Sequence, residues 1–158
     1  MIRVLFVCLG NICRSPTAQA VFEQRISHAG LRKKIAVDSA GTAAFHIGKT
    51  PDARAAHTAA LRGYDLSRQT ARQISPQDFV DFDFILPMDR MNLGNLNALK
   101  PQNFQGHLGL FMNFCRLQRQ YSQVPDPYYE GDDGFNLVLD LVEDAADGLL
   151  EHIQKTRQ

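Results

Sequence analysis

Apolar residues follow two alternating patterns along the chain. Short apolar runs are typical of buried strands, and longer stretches with apolar positions every three or four residues predict helices. The predicted elements are strand 4–7, helix 16–29, strand 34–37, helix 52–61, strand 84–86, helix 89–99, strand 107–112 and a long helix that includes 138–153. Because strands alternate with helices, we expect an α/β fold: an open, mostly parallel four-stranded sheet with helices on both faces. Ligands of such sheets bind at the carboxyl ends of the strands.

The first predicted helix has start and stop signals at its two ends. Ser15 is a residue type that often caps a helix, Pro16 suits the first helical position, and Gly30 suits the stop. Apolar residues recur on one face of this stretch, at Ala18, Val21, Phe22, Ile26 and Ala29. The sequence therefore predicts a helix that begins soon after the first strand.

Composition is that of a soluble globular protein, and we expect residues 1–158 to form a single domain. The chain is 44% hydrophobic and 22% charged, with 17 basic and 17 acidic residues. This balance does not favour nucleic acid or an anionic membrane as a partner. There is no signal-peptide pattern and no stretch of about 20 apolar residues. Three cysteines are too few for a disulfide framework, which favours a cytoplasmic location.

The segment CLGNICRSP, residues 8–16, lies where the first strand ends and the first helix begins. It matches neither the Walker nor the dinucleotide-binding pattern. Five residues separate Cys8 from Arg14, enough for backbone N–H groups to converge above the Cys8 sulfur beside the positive helix end. Gly10 and Asn11 readily adopt positive φ, and Arg14 can bind two phosphoryl oxygens. The positive electrostatic field of these groups favours the thiolate form of Cys8. The segment therefore predicts a phosphate cradle that contains a nucleophile.

Each of these residues also has an ordinary structural explanation. Any Cys and Arg can occur at this spacing by chance. Cys8 could be a small buried residue at the end of a strand, and Arg14 could be a surface residue near the start of a helix. The combination with the preceding strand, the Gly-Asn turn and the Ser-Pro helix start favours a functional loop. A zinc site at Cys8 and Cys13 is not favoured, because no second Cys/His pair has suitable spacing.

The segment VCLGNICRSPTA resembles the active-site segment of the low-molecular-weight protein tyrosine phosphatases, whose pattern is C-x-G-N-x-C-R-S. Further segments match that family in order: VDSAGT at 37–42, PDAR at 51–54, ARQI at 71–74, FDFILPMD at 82–89 and DPYY at 126–129. The resemblance covers essentially the whole chain and implies a phosphotyrosine phosphatase I-like fold with flavodoxin-like layering. It also implies an enzyme that hydrolyses protein phosphotyrosine and small aryl phosphates without a metal or another cofactor.

The resemblance implies a role for every residue of the loop. Cys8 would be the nucleophile, Arg14 would bind and stabilise the phosphoryl group, and Ser15 would stabilise the thiolate. The phosphate-binding loop would be completed by Leu9, Gly10, Asn11, Ile12 and Cys13, with Asn11 holding its strained shape. Cys13 would also protect Cys8 from irreversible oxidation by forming a reversible disulfide with it.

Outside the loop, the resemblance implies that Asp126 is the general acid. It would protonate the leaving phenolate and then act as base toward water, a contribution typically worth roughly 10²–10⁴-fold. Taken alone, its Pro-rich segment is typical of an exposed turn. Tyr128 and Tyr129 would supply aromatic walls. Phe45 lies where the family has an aromatic residue that influences substrate choice, and a loop residue packed on the core is the alternative.

Other positions bear on the loop from outside. Ser39 and Asp89 match family positions that support it from behind, although capping and turn formation predict the same residue types. Many relatives carry a histidine just before the Ala-Arg-Gln segment, but this chain reads SRQT at 67–70. The resemblance therefore does not transfer that part of the hydrogen-bond network, and it singles out none of the five histidines as catalytic.

Two other functions are compatible with this loop. An arsenate reductase of the same fold needs two further cysteines, and only Cys115 remains, in an apolar stretch typical of a core. A non-catalytic phosphotyrosine-binding module is expected to lack Cys8, Arg14 or Asp126, and all three are present. The expectation is therefore a monomeric cytoplasmic phosphatase whose partners are tyrosine-phosphorylated proteins, without nucleic acid or membrane.

Overall fold

The computed structural model describes residues 1–127 and 132–156. Its elements are β1 (Ile2–Cys8), α1 (Arg14–His28), β2 (Ile35–Gly41), α2 (Ala53–Leu61), α3 (Asp78–Asp81), β3 (Phe84–Pro87), α4 (Arg90–Leu99), β4 (His107–Leu108), a 3₁₀ helix (Phe111–Phe114) and α5 (Asp132–Thr156). The four strands form one sheet in the order β2-β1-β3-β4. All three neighbouring pairs are parallel, so the predicted α/β fold is confirmed.

Strand β1 lies inside the sheet and is covered on both faces. Val4 and Phe6 belong to the larger core, which also contains residues of α1, α2 and α5. Leu5 and Val7 point the other way, into a smaller core that contains Phe79 of α3 and Leu96 of α4. A strand buried on both faces is expected to be a continuous apolar run, as this one is. The prediction of helices on both faces is confirmed.

The start of α1 differs from the prediction. The helix begins at Arg14, and its N-cap residue is Cys13, which makes no side-chain capping bond. The prediction that Ser15 caps the helix is therefore wrong. Ser15 is fully buried, and its hydroxyl lies 3.0 Å from the Cys8 sulfur. At the other end the prediction is confirmed, because the helix ends at His28 and Gly30 has a φ of 73°.

The lengths of two strands also differ from the prediction. Only His107 and Leu108 of the apolar run 107–112 pair with β3, and the chain then turns into the 3₁₀ helix. A short apolar run suits a strand or a buried helical turn equally well, so periodicity alone could not distinguish them. Strand β2, in contrast, continues past residue 37 to Gly41, because it pairs with β1 as far as Cys8.

Helix α5 is the longest element and packs against α1, α2 and the 3₁₀ helix. The predicted helical face is confirmed, since its apolar residues are buried: Val138, Leu141, Val142, Ala145, Leu149 and Ile153. Within residues 1–127 and 132–156, no helix combines the length and the apolar content that crossing a bilayer requires.

Candidate active site

The candidate site lies at the carboxyl edge of the sheet. Strand β1 ends at Cys8 and β2 ends at Gly41, and the loop after β1 leads directly into α1. A cavity of about 330 Å³ opens there, lined by Cys8, Leu9, Gly10, Ile12, Cys13, Arg14, Phe45, His46 and Asp126. The fold thus brings Asp126 and Phe45 to the loop from distant parts of the chain.

The backbone of the loop is held so that several N–H groups are left for a ligand. Three loop carbonyls accept hydrogen bonds from backbone N–H groups behind them: Cys8 O from Thr42 (2.9 Å), Leu9 O from Ala43 (2.9 Å) and Ile12 O from Asp52 (2.7 Å). The C=O and N–H of a trans peptide unit point in opposite directions. The N–H groups that follow these carbonyls, those of Leu9, Gly10 and Cys13, therefore point away from the supporting chain, on the side of the cavity.

Asn11 fixes the tightest part of the loop. Its φ of 57° is in the left-handed region, as expected for this residue type. Its Nδ2 donates to Ser15 Oγ at 2.8 Å and to Ser39 Oγ at 2.9 Å, and its Oδ1 accepts the Arg72 N–H at 3.0 Å. The side chain is buried and bridges the loop to β2 and to the segment before α3.

The Cys8 sulfur lies at the base of the cradle and is almost fully buried. It accepts the Asn11 N–H at 3.3 Å and lies 3.0 Å from Ser15 Oγ. Since Asn11 already donates to the Ser15 hydroxyl oxygen, the hydroxyl hydrogen of Ser15 is available for the sulfur. Both donors suit a thiolate, which is the form of cysteine that attacks phosphorus.

The Arg14 guanidinium is buried and held from behind. Its Nη1 donates to Asp89 Oδ2 at 2.7 Å and to the Val124 carbonyl at 2.9 Å, and its Nη2 lies 3.9 Å from Asp126 Oδ2. Burial by itself lowers the pKa of Arg14, but Cys8, Asp89 and Asp126 together raise it above the ordinary value. The guanidinium therefore stays charged. Asp89 also caps α4, so its capping and supporting roles coincide.

Asp126 reaches the cavity from the segment that follows the 3₁₀ helix. Its side chain is 45% exposed, so the carboxyl group is open to a ligand and to water. The preceding Val124 is fully buried, and its N–H donates to Met88 O at 2.8 Å, which attaches the segment to the end of β3. Tyr128 and Tyr129, the predicted aromatic walls, lie outside the described residues.

Phe45 is on the rim of the cavity and 72% exposed, so it does not pack into the core. Beside it, His46 also lines the cavity, and sequence reasoning did not single it out. Its ring packs against Gly10, where an added Cβ would lie 2.8 Å from His46 Cδ2. Gly10 is needed for this close approach, and the expected positive φ at Gly10 is not observed. The one signal for His46 in the sequence was its position next to Phe45.

Gly41 is a second position that sequence reasoning missed. A Cβ there would lie 2.7 Å from the Leu9 carbonyl oxygen and 3.1 Å from the Asn11 nitrogen. The end of β2 can therefore press against the loop only because residue 41 has no side chain. Gly41 lies four residues beyond the predicted end of the second strand, so the predicted bounds hid the signal that a glycine within a strand often marks a close backbone approach.

Two amide side chains, those of Gln19 and Gln69, lie behind the loop. Ser39 Oγ donates to Gln19 Oε1 at 2.7 Å, and Gln69 Nε2 donates to the Pro16 carbonyl at 2.9 Å. Neutral amides thus support Ser39 and the start of α1 in this chain.

Comparison with known proteins agrees with this geometry. The family model described as low molecular weight phosphotyrosine protein phosphatase matches residues 3–158. The low molecular weight protein-tyrosine-phosphatase YfkJ of Bacillus subtilis is 40% identical over 158 residues, which cover 100% of this chain and 99% of that protein. A crystal structure of a protein tyrosine phosphatase from Entamoeba histolytica has a TM-score of 0.95 and 37% identity, covering 100% of both chains. That of a Drosophila arginine phosphatase has a TM-score of 0.89 and 31% identity, covering 98% of both. The chain belongs to the low molecular weight phosphotyrosine protein phosphatase family.

Proposed function

We propose that the chain hydrolyses protein phosphotyrosine, and small aryl phosphates, through a cysteinyl-phosphate intermediate. The observation that carries the proposal is the shared cavity of Cys8, Arg14 and Asp126. It combines a nucleophile, a fixed cation and a carboxyl group around a cradle of backbone N–H groups. Membership of the phosphatase family supports the reaction class.

In the first step, the Cys8 thiolate attacks phosphorus, the S–P bond forms and the bond to the aryl oxygen breaks. Arg14 and the loop N–H groups bind the equatorial phosphoryl oxygens, where negative charge develops. Asp126, in its protonated form, donates its proton to the departing phenolate. The buried anchors of Arg14 keep the guanidinium in place before substrate arrives.

In the second step, water hydrolyses the cysteinyl-phosphate. Asp126, now a carboxylate, accepts a proton from water as the new O–P bond forms and the S–P bond breaks. The leaving group is the Cys8 thiolate, and the Ser15 hydroxyl is placed to donate a hydrogen bond to it. Inorganic phosphate then leaves, and the enzyme returns to its starting state.

The walls of the cavity support an aromatic substrate. Leu9, Ile12 and Phe45 present apolar surface beside the cradle, which suits the ring of phosphotyrosine. Tyr128 and Tyr129 are proposed as further walls. A phosphoarginine side chain would place guanidine N–H groups against the same apolar surface, where they lack partners. We therefore propose phosphotyrosine as the preferred substrate.

The test of the chemistry uses reduced protein and p-nitrophenyl phosphate. Cys8→Ser is expected to abolish turnover, and activity that survives this change would rule out the cysteinyl-phosphate. Asp126→Ala is expected to lower kcat/KM far more for phenyl phosphate than for p-nitrophenyl phosphate, whose leaving group needs less protonation. Matched phosphotyrosine and phosphoarginine peptides test the substrate class, and faster hydrolysis of phosphoarginine would overturn it.

We propose that Cys13 acts as a redox partner of Cys8. Both cysteines are buried and free, five positions apart in one loop. Peroxide would oxidise the Cys8 thiolate to a sulfenic acid, and the Cys13 thiol would displace water to form a disulfide. Wild-type activity is expected to recover under thiols after peroxide treatment. Equal recovery of a Cys13→Ser variant would contradict this role.

The rival functions are less well supported. An arsenate relay needs two cysteines besides the loop pair, and Cys115 is the one cysteine of the sequence other than Cys8 and Cys13. Steady thioredoxin-coupled turnover of arsenate would overturn the phosphatase proposal. If the reduced protein does not hydrolyse p-nitrophenyl phosphate, a non-catalytic phosphotyrosine-binding module would be favoured.

We also propose that residues 1–158 act as one domain, in the cytoplasm and as a monomer, on tyrosine-phosphorylated proteins, without nucleic acid or membrane as a partner. The absence of net charge argues against nucleic acid or an anionic membrane as a partner. Light scattering that gives a dimer mass would contradict the monomer.

A further inference from the structure

Asp144, on α5, holds a remote loop through its carboxylate. Its Oδ2 accepts three consecutive backbone N–H groups, from Arg116 at 3.0 Å and from Leu117 and Gln118 at 2.9 Å. The residue is only 7% exposed and lies on the face of α5 that is otherwise apolar. A carboxylate in such a position is costly unless it is well hydrogen-bonded, and hydrogen bonds to a charged acceptor are the strong kind. This carboxylate is therefore an anchor for the loop.

Gly148 completes the same attachment one helical turn later. Positions 144 and 148 share one face of α5 because residues four apart are neighbours on a helix surface. A Cβ at Gly148 would lie 1.7 Å from the carbonyl oxygen of Phe114. The helix thus offers a recess at 148 for the end of the 3₁₀ helix and an anchor at 144 for the residues that follow it.

The anchored residues begin the segment that carries Asp126. Further along, the Arg90 N–H donates to Gln123 Oε1 at 2.9 Å, and Val124 is bonded to Met88 and to Arg14. Asp126 follows two residues later, and the chain then enters α5 itself at Asp132. Both ends of the loop are therefore attached to α5, one by the Asp144 carboxylate and the other covalently. An attachment of this kind removes conformational freedom from the loop between its ends.

We propose that Asp144 is a positioning residue for the general acid Asp126. It acts through the backbone of 116–118 and touches neither the phosphoryl group nor the nucleophile. The inference rests on the proposed acid role of Asp126. Without the anchor, the backbone N–H groups of 116–118 lose their acceptor, and the start of the segment is left with the ion pairs of the Arg116 side chain to Asp147 and Glu151. The segment is then held less firmly, so the carboxyl group of Asp126 spends less time where the leaving oxygen is. A misplacement of about 1 Å can cost about 100-fold in rate, so a loosened loop affects proton donation measurably.

The first experiment measures kcat/KM of Asp144→Ala and Asp144→Asn with phenyl phosphate and p-nitrophenyl phosphate. We expect Asp144→Ala to lose about ten-fold on phenyl phosphate and no more than about two-fold on p-nitrophenyl phosphate, because only the poorer leaving group needs the proton fully. Asp144→Asn is expected to retain most of the activity, since its amide oxygen can still accept the three N–H groups. Equal losses on both substrates would overturn the proposal.

A double-mutant cycle tests whether the effect passes through Asp126. In an Asp126→Ala background, adding Asp144→Ala is expected to leave kcat/KM on phenyl phosphate unchanged, because no acid remains to be positioned. Additive losses would overturn the proposal. If Asp126→Ala alone shows no dependence on the leaving group, the proposed acid assignment fails. If it shows that dependence and Asp144→Ala does not, only the positioning role fails.

Two control variants separate positioning from loss of stability. Asp140→Ala removes a carboxylate one turn earlier on α5, where it is half exposed and paired with Arg62. Val142→Ala opens a cavity at a fully buried position of α5 and leaves the Asp144 carboxylate in place. Both are expected to leave the ratio of the two kcat/KM values unchanged, with folding checked by circular dichroism at the assay temperature. If Val142→Ala shifts that ratio as Asp144→Ala does, Asp144 is a stability residue and the proposal is wrong.

Discussion

Asn11 combines a left-handed backbone with three hydrogen bonds, so its backbone and its side chain can be tested separately. Asn11→Ala loses the bonds to Ser15, Ser39 and the Arg72 N–H and places an alanine at a φ of 57°. We expect a loss of about 2–4 kcal/mol in the free energy of unfolding in urea, from unsatisfied buried partners and backbone strain. We also expect Asn11→Ala to lower kcat/KM, because the loop loses the hydrogen bonds that shape it.

Asn11→Gly is the matched variant, because glycine tolerates the backbone and lacks the side chain. It is expected to recover about 1 kcal/mol relative to Asn11→Ala, which is the strain alone, and to recover little activity. If glycine restores full activity, the hydrogen bonds of Asn11 are not what shapes the loop.

Cys13 makes the protein sensitive to alkaline pH. Burial, followed by the charges of Asp52 and Cys8, raises the pKa of Cys13 from 9.0 to about 12. The folded protein therefore keeps this proton where the unfolded chain has lost it. The stabilisation is fully present below pH 9 and is lost as the pH rises toward 12. We expect Cys13→Ala to reduce the loss of unfolding free energy between pH 9 and pH 11, measured by urea denaturation.

Cys115→Ala provides the comparison, because Cys115 is less buried than Cys13. Its removal is expected to change the alkaline slope less. Identical slopes for wild type and Cys13→Ala would show that the Cys13 thiol ionises alike in the folded and unfolded chains.

At the scale of elements, the structure of a contiguous segment could be predicted from its own sequence, whereas contacts between distant segments were harder to predict. Strand β1, its loop and α1 form one stretch whose pattern depends on neighbouring residues, and the phosphate cradle was expected there. The end of β2 at Gly41 depends on pairing with β1, a long-range contact that no local pattern contains. The contact of Ser15 with Cys8 was expected, whereas the local pattern wrongly assigned Ser15 to the cap of α1, which begins at Arg14.

Gly41 is where one element shapes another, and a single methyl group tests this. Gly41→Ala places a Cβ 2.7 Å from Leu9 O and 3.1 Å from Asn11 N. Since backbone cannot yield as a side chain can, the loop must shift, and we expect kcat/KM to fall by at least about ten-fold. Steady-state kinetics with p-nitrophenyl phosphate measure this.

The control is Gly94→Ala, at an exposed position of α4, where an added Cβ meets nothing within 4 Å. That variant is expected to keep full activity and to gain slightly in stability, because alanine is a better helix former than glycine. Full activity in Gly41→Ala would mean that the loop tolerates the shift and that the close approach is not required.

At the scale of the whole molecule, the site exists because a parallel sheet collects strand ends at one edge. The cradle follows β1, its backing comes from the end of β2, and Asp89 follows β3. The sequence alone did not single out Asp126, since many aspartates lie in turns and only tertiary structure brings this one to Arg14. His46 was missed for the same reason. The resemblance to a family supplied Asp126, and the packing of the 3₁₀ helix and α5 explains how it arrives.

Because elements from the whole chain meet at the cradle, an anion bound there is expected to stabilise the entire fold. A ligand at about 100 times its Kd adds about 2.7 kcal/mol to the free energy of unfolding. For a domain of this size, that corresponds to a rise of about 5–10 °C in Tm. We expect inorganic phosphate to produce such a rise in a thermal melt of the reduced protein.

Arg14→Lys is expected to remove most of that rise, because lysine keeps the charge and loses the planar fork. Arg68→Ala is the matched control, since Arg68 is exposed and outside the cavity of the cradle, and it should keep the full shift. A shift that survives Arg14→Lys and disappears in Arg68→Ala would place the phosphate away from Cys8. The cradle would then no longer be the anion site on which the proposed chemistry depends.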